Sequence, residues 1–224
     1  MSSQASAVAV IGMGCRFPGA RNPEQLWQML LDGRSGWGEV PADRWNADAF
    51  YNPHRAAKEA LNAKHGYFLD EDIAAFDAHF FGCLPYEANT MDPQQRLLLE
   101  TTYEALENAG IPIESLRGSD TSVFVGAYGT DYERMGYKDL SQVTRGLVTG
   151  AGIAVISNRI SYIFDLKGAS MTIDTGCSGS MVALHQACQA LKARDSRIAI
   201  VGGTELLLHP DQSVAMSING WVLV

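Results

Sequence analysis

The stretch Ser170-Met-Thr-Ile-Asp-Thr-Gly-Cys-Ser-Gly-Ser-Met-Val-Ala-Leu-His-Gln-Ala-Cys188 reads as a strand, a sharp turn and a helix in succession. Ser170–Asp174 suits a strand, and Gly179 to about Lys192 suits a helix. Between them, Gly176 and Gly179 flank Cys177 and permit a backbone that other residues resist. A nucleophile-type side chain on such a strand-to-helix turn has the local plan of a nucleophile elbow. The helix N terminus offers partial positive charge, which favours thiolate over thiol. Its unpaired N–H groups can also hold an oxyanion formed at an attacked thioester. A free cysteine is as readily a small buried hydrophobe, however, and the turn alone leaves both readings of Cys177 open.

The helix after the turn is apolar over a wide arc. Met181–Leu184 is wholly apolar, Ala187, Cys188, Ala190 and Leu191 extend that surface, and only His185, Gln186, Gln189 and Lys192 interrupt it. Such a pattern predicts a helix buried on more than one side, the central helix of a layered structure.

Working outward, Ala7–Ile11 (AVAVI) reads as a buried first strand that runs into Gly12-Met-Gly14. Asn22 is placed to cap a helix opened by Pro23 and stopped by Gly33. Arg34 to about Leu69 reads as a long surface excursion studded with aromatic residues. A second helix is framed by Asp92 as cap, Pro93 as opener and Gly110 as stop. Its apolar stripe is Leu97, Leu98, Tyr103, Ala105, Leu106 and Ala109, with Asp92, Glu100, Glu104 and Glu107 on a solvated face and Arg96 pairing locally. Ser122–Gly126 and Arg197–Gly202 read as further strands, and Thr149–Leu166 as helical around Ile153–Ile163. Strands alternating with helices predict an α/β fold with parallel pairing. One domain is the simplest division, with residues 1–7 as a flexible tail.

Composition bounds the function. The 224 residues carry 17 Lys and Arg against 25 Asp and Glu, a net charge of −8 that argues against nucleic-acid binding. Cys15, Cys83, Cys177 and Cys188 are scattered and form no C-x2-C pair, so neither a disulfide framework nor a metal site is expected. No apolar run is long enough to span a membrane, and the first residues lack the basic region of a signal peptide. A cytoplasmic location is the expectation. Gly12 and Gly14 are followed next by Gly19, which breaks the dinucleotide fingerprint, so no cofactor bound directly is expected. Gly150-Ala-Gly152 is read as helix packing.

Asp174-Thr-Gly-Cys-Ser-Gly-Ser180 resembles the active-site signature of β-ketoacyl synthases, specifically the ketosynthase domains of polyketide synthases. The likeness extends in order through Ile11–Gly19, Leu26-Trp27, Leu31–Gly36, Met91–Glu100, Glu104–Gly110, Val125-Gly126, Asn158–Tyr162 and Val201–Gly203, covering Val8 to Ser217. In wording it is most similar to fungal-type reducing polyketide synthases. The resemblance implies a thiolase-like α-β-α-β-α layered fold built from two similar halves, of which residues 8–217 are the N-terminal part. It implies that Cys177 takes an acyl chain from an acyl carrier protein, whose phosphopantetheine delivers it. The chain is then joined to a carbanion made by decarboxylating a malonyl thioester, a Claisen condensation. It also implies a dimer, and two catalytic histidines drawn from the second half.

His54, His65, His79, His185 and His209 do not resemble those histidine motifs. His185 lies two helical turns past Cys177, roughly 12 Å of rise, too far for a direct thiol–imidazole pair. Residues 218–224 diverge from the family pattern. Stand-alone condensation is therefore not expected, and the alternatives are a non-catalytic module that pairs with a complete synthase or a non-functional truncated product. With the wide apolar surface of the Cys177 helix lacking its second cover, the chain expressed alone is expected to aggregate or to stay molten. Analytical sedimentation with a thermal melt checks this. A monomer with one sharp transition contradicts it.

Overall fold

The computed structural model describes residues 7–54, 57 and 59–221. In chain order the helices and strands are α1 (Pro23–Leu31), β1 (Trp37–Glu39), α2 (Ala47–Phe50), β2 (His65–Tyr67), α3 (Pro85–Thr90), α4 (Pro93–Asn108), β3 (Ser122–Ala127), α5 (Asp131–Tyr137), α6 (Leu147–Ala151), α7 (Val155–Ile163), β4 (Ser170–Ile173), α8 (Gly179–Ala193), β5 (Ala199–Thr204) and α9 (Asp211–Ile218). They gather into two compact units where one domain is expected from the sequence. One unit comprises Ile73–Glu205 with the segment ending at Cys15, the other Arg16–Asp72 with the segment beginning at Leu206. The aromatic excursion has its own internal ties, which is why it separates. Of the flexible tail expected at residues 1–7, all but residue 7 lies outside the described residues, as do the last three positions of the divergent 218–224 stretch.

The first unit is layered. Its three strands are parallel in the order β4-β3-β5, with Gly126 of β3 opposite Ile173 of β4 and Gly203 of β5. The central strand is buried on both faces. Val123 and Val125 pack with Leu98, Leu99 and Leu106 of α4 and Ile156 and Ile160 of α7. Phe124, pointing the other way, packs with Ala183 and Ala187 of α8. The period-two alternation of a strand thus feeds two separate helix layers, giving α-β-α.

The helix ends follow the sequence signals. Asn22 accepts a hydrogen bond from the Gln25 N–H at the start of α1, and Asp92 accepts one from the Gln94 N–H at the start of α4. Gly33 and Gly110, which stop these helices, have φ of +63° and +67°. The helix expected around Ile153–Ile163 is broken at Gly152, leaving α6 and α7, and the last strand begins two residues later than its sequence pattern suggests.

Two expectations are overturned. Ala7–Ile11 forms no strand and is exposed, because no described residue offers it a backbone ladder. The residues that follow are engaged: a Cβ on Gly12 would lie 2.2 Å from the Ala105 carbonyl oxygen of α4, and Met13 N–H donates to Asn108 Oδ1. Asp92 is buried rather than solvated. As expected for a helix lacking its second cover, α8 is covered on a single stripe, Gly179, Ala183 and Ala187, while Met181 is 66% and Leu184 40% exposed. A stripe of small residues at every fourth position fits one close helix–sheet contact, and no second layer among the described residues meets the opposite face.

The second unit is held by polar and aromatic contacts. β1 and β2 pair antiparallel, with Trp37 stacked on His65 and edge-on to Tyr67. Arg16 and Arg21 converge on Glu71 at 3.1 and 2.7 Å. Ser217 of α9 donates to buried Asn62 at 2.6 Å.

A tight backbone constraint in the first unit lies where α8 crosses β3. A Cβ on Gly126 would fall 2.3 Å from both the Gly179 carbonyl carbon and the Ser180 nitrogen. In a folded polypeptide carrying this segment, Gly126→Ala is expected to cost about 3 kcal/mol in urea denaturation. Gly38→Ala, where a Cβ meets nothing within 4 Å, is the near-neutral control. Equal midpoints for the two variants contradict the assigned constraint.

Candidate functional site

Parallel strands leave the sheet on one side, so the segments after β3, β4 and β5 converge at its carboxyl edge. Ligands of open α/β sheets bind in that position, most often where successive connections diverge to opposite sides. Here the chain steps from β3 to β4 on one side, then passes through α8 to β5 on the other. The turn Asp174–Ser178 sits at this divergence.

The turn is braced from within. Gly176 takes φ of +60°, a left-handed value that favours glycine. The Asp174 carboxylate accepts from the Gly176 N–H at 3.0 Å, and Gly179 N–H returns to the Gly176 carbonyl at 3.0 Å. Ser178 occupies the N-cap of α8 but does not cap it, since its hydroxyl donates back to Thr175, to the carbonyl at 3.0 Å and Oγ1 at 2.9 Å. The first N–H groups of α8 therefore lack a side-chain cap, and Cys177 lies one residue before the N-cap position. Of the four cysteines, Cys177 is exposed, Cys83 is buried, and Cys15 and Cys188 are partly covered. The alternative reading of Cys177 as a small buried hydrophobe is set aside by that exposure. Burial pushes the Cys83 thiol up instead.

Beneath the turn, the helix first turn rests on bare backbone. Gly179 lies against Gly126 of β3, and Ser180 Cβ would be 2.8 Å from a Cβ on Gly203 of β5. Gly126 and Gly203 are thus the floor that lets α8 descend onto the sheet.

Around the edge lies a polar shell that sequence reading largely missed. Gln94 of α4 donates to the Gly129 carbonyl and to Asp92 Oδ2, each at 3.2 Å, and receives the Thr204 hydroxyl at 3.4 Å. Gln95 donates to the Gly150 carbonyl at 2.8 Å and accepts from Arg159 Nε at 3.1 Å. Arg96, expected to pair locally, reaches the Met91 and Ala74 carbonyls, both at 2.9 Å. Burial raises Asp92 to about 6, partly offset by its two hydrogen bonds from Gln94 and by Arg96. Burial also raises Glu205, directly after β5, to about 7, with the Gly129 N–H opposing and Asp131, Asp174 and Asp92 adding to the rise. The available signals were two adjacent amides after Pro93 and a lone acid between Thr204 and the apolar run Leu206–Leu208.

The histidines are not gathered at the turn. His185 is exposed on α8, with its Nε2 3.4 Å from the Gln189 amide nitrogen, and His79 is exposed on a loop of the same unit. His54, His65 and His209 belong to the other unit, where His209 pairs with Asp211 at 3.0 Å. No group of three His, Cys, Asp or Glu side chains suited to a metal ion occurs among the described residues, and no helix among them is long and apolar enough to cross a membrane.

Comparison with known proteins gives this edge its relatives. The profile of the β-ketoacyl synthase N-terminal domain matches residues 5–223. A highly reducing polyketide synthase from Aspergillus luteorubrus is 55% identical over 219 residues, covering 97% of this chain and 7% of that protein. A squalestatin tetraketide synthase from Cochliobolus lunatus is 50% identical over 214 residues, covering 95% of the chain and 8% of that protein. The chain thus spans less than a tenth of these curated relatives' length. Among solved structures, an oxazolomycin ketosynthase domain from Streptomyces albus superposes with a TM-score of 0.87 at 37% identity, covering 94% of this chain and 36% of that one. The ketosynthase from module 6 of the Bacillus subtilis bacillaene synthase gives 0.82 at 35% identity, covering 96% and 34%. The three-layered unit with Cys177 at the sheet's carboxyl edge is therefore the N-terminal part of a thiolase-like fold, and the chain belongs to the β-ketoacyl synthase family.

Proposed function

We propose that this chain is the N-terminal part of a polyketide synthase ketosynthase and that Cys177 is its acyl-accepting nucleophile. The observation that carries the reading is the placement of an exposed thiol directly before the uncapped first turn of α8, at the carboxyl edge of the parallel sheet. In the proposed step the Cys177 sulfur attacks the carbonyl carbon of an acyl thioester borne on the phosphopantetheine of an acyl carrier protein. The N–H groups at the start of α8 hold the developing oxyanion. Collapse of the tetrahedral adduct forms the Cys177 thioester and expels the carrier thiolate, which takes up a proton.

The second half-reaction is the decarboxylative Claisen condensation with a malonyl thioester. Loss of carbon dioxide leaves an enolate, whose carbon attacks the acyl carbonyl on Cys177 and releases the cysteine sulfur. An enolate needs electrophilic stabilisation. No histidine of this unit sits at the turn to supply it: His185 is two helical turns along α8 and His79 is on a separate loop. We assign the full condensation to a complete ketosynthase, with the residues described here providing the acyl-binding half of the site. A second reading, a non-catalytic module that pairs with a complete synthase, draws on the exposed Met181 and Leu184 of α8.

Incubation with an acyl thioester followed by intact-protein and peptide mass spectrometry tests the first reading. The expected result is a single acyl adduct on Cys177 that is lost in Cys177→Ala, with no carbon–carbon bond formed when malonyl carrier protein is added to this chain alone. Absence of any adduct, together with co-purification of a full synthase, favours the pairing module. Condensation by the isolated chain contradicts the division of labour between the two halves.

A further inference from the structure

The carboxyl edge of the sheet holds a second device, centred on Gly129. Gly129 lies in the short segment Tyr128–Thr130 between β3 and α5, and its peptide groups are held by side chains from two other elements. Gln94 of α4 donates to the Gly129 carbonyl at 3.2 Å, and Glu205, following β5, accepts from the Gly129 N–H. The fit is close: a Cβ on Gly129 would lie 2.9 and 3.1 Å from the two Glu205 carboxyl oxygens. Thr204 fastens the two jaws together by donating to Gln94 Oε1 at 3.4 Å. The segment so gripped leaves β3 next to the Cys177 turn, because Gly126 and Ile173 are paired residues and the two connections begin at Tyr128, two residues beyond Gly126, and at Asp174, one beyond Ile173.

We propose that Glu205 is a positioning residue for acylation of Cys177: with Gln94 it closes a latch on Gly129 that sets the Tyr128–Thr130 segment beside the Cys177 turn. The consequence for Cys177 rests on the proposed acyl-transfer reading; the latch itself does not. Because Gln94 and Glu205 come from different elements, the latch ties α4, β3 and β5 together at the carboxyl edge of the sheet. Tyr128, 41% exposed, is the side chain that the segment displays there.

The latch is proton-dependent. Glu205 faces Asp92 from α4, Asp131 from α5 and Asp174 from the turn after β4; Arg96 acts on Asp92, and Tyr132 stands beside both of these. Burial first, and these carboxylates second, raise Glu205 from its ordinary 4.5 to about 7. The closed latch therefore binds a proton more tightly than an open, hydrated one. Its contribution is fully present below the ordinary value and is lost as pH rises through the folded value near 7. The neutral carboxyl still accepts the Gly129 N–H through its carbonyl oxygen, and ionisation adds a charge facing Asp131 and Asp174. Since Asp174 also holds the Gly176 N–H, that repulsion reaches the turn itself.

Hydrogen-exchange mass spectrometry of the peptide spanning Tyr128–Asp131, with the rate of Cys177 acylation measured in parallel, tests the latch in the full polypeptide that carries this segment. Wild type, Glu205→Gln and Glu205→Ala are compared between about pH 6 and pH 8. After correction for intrinsic exchange, wild-type protection is expected to fall several-fold across this range. Glu205→Gln, which accepts the same hydrogen bond but cannot ionise, is expected to stay protected throughout. Glu205→Ala is expected to be unprotected at both ends and to acylate about tenfold more slowly, as for a misplaced wall of the site, with Gln restoring the rate. Persistence of the pH effect in Glu205→Gln, equal protection in wild type and Glu205→Ala at pH 6, or an unchanged acylation rate in Glu205→Ala overturns the proposal. The expected exchange pattern with no acyl adduct in any variant supports the latch and overturns the acyl-transfer reading alone.

Discussion

Everything at the functional edge depends on backbone meeting backbone where α8 crosses β3. Gly179 rests on Gly126 with no side chain between them, and an added methyl group would stand 2.3 Å from main-chain atoms. That contact brings the start of α8 down to the ends of the strands, which places Cys177 above the sheet rather than out along a loop. It also forces the rest of α8 to follow a path that only small residues tolerate. Ala183 and Ala187 continue the stripe that Gly179 begins, and Phe124 fills the space they leave. The helix can approach closely on one side only, so its larger apolar residues, Met181 and Leu184, are pushed to the opposite, exposed face.

A second constraint surrounds the first. The start of α4 is buried nearly all round, with Gln94, Gln95 and Arg96 inside, and each buried amide or guanidinium must find partners. They find them in backbone carbonyls of neighbouring segments: Gly129, Met91 and Ala74 in connections, and Thr149 and Gly150 in α6. Side chains of α4 thus fix irregular segments that no ladder holds. Buried polar groups specify one arrangement of those loops, since any other leaves several of them unpaired at once. The carboxylates Asp92 and Glu205 are the expensive members of this shell, and their raised proton affinities express that cost.

Most of the local structure was legible because the signals were local. Asn22 before Pro23 and Asp92 before Pro93 set two helix starts, and positive φ at Gly33 and Gly110 ended them. The Cys177 turn was legible from its flanking glycines, and its family from motifs spread along the chain. What escaped depended on distant partners. Ala7–Ile11 has the composition of a strand but no ladder among the described residues. The acids of α4 share one sequence pattern, yet Asp92 is buried beside α6, where the Gly150 carbonyl accepts the Asp92 N–H. Glu205 gave no periodic signal, and its role comes from a glycine 76 positions earlier that pairing of β3 with β5 brings alongside.

The central claim is that the fold selects Cys177, among four cysteines, as the acyl acceptor. In the full polypeptide that carries this segment, exposure to an acyl thioester followed by alkylation and peptide mapping reads all four thiols in one experiment. The account predicts that Cys177 alone is shielded from the alkylating agent, while Cys15 and Cys188 alkylate at the rate seen without thioester and Cys83 reacts only after denaturation. Acylation of Cys15 or Cys188 at a rate equal to that of Cys177 contradicts it.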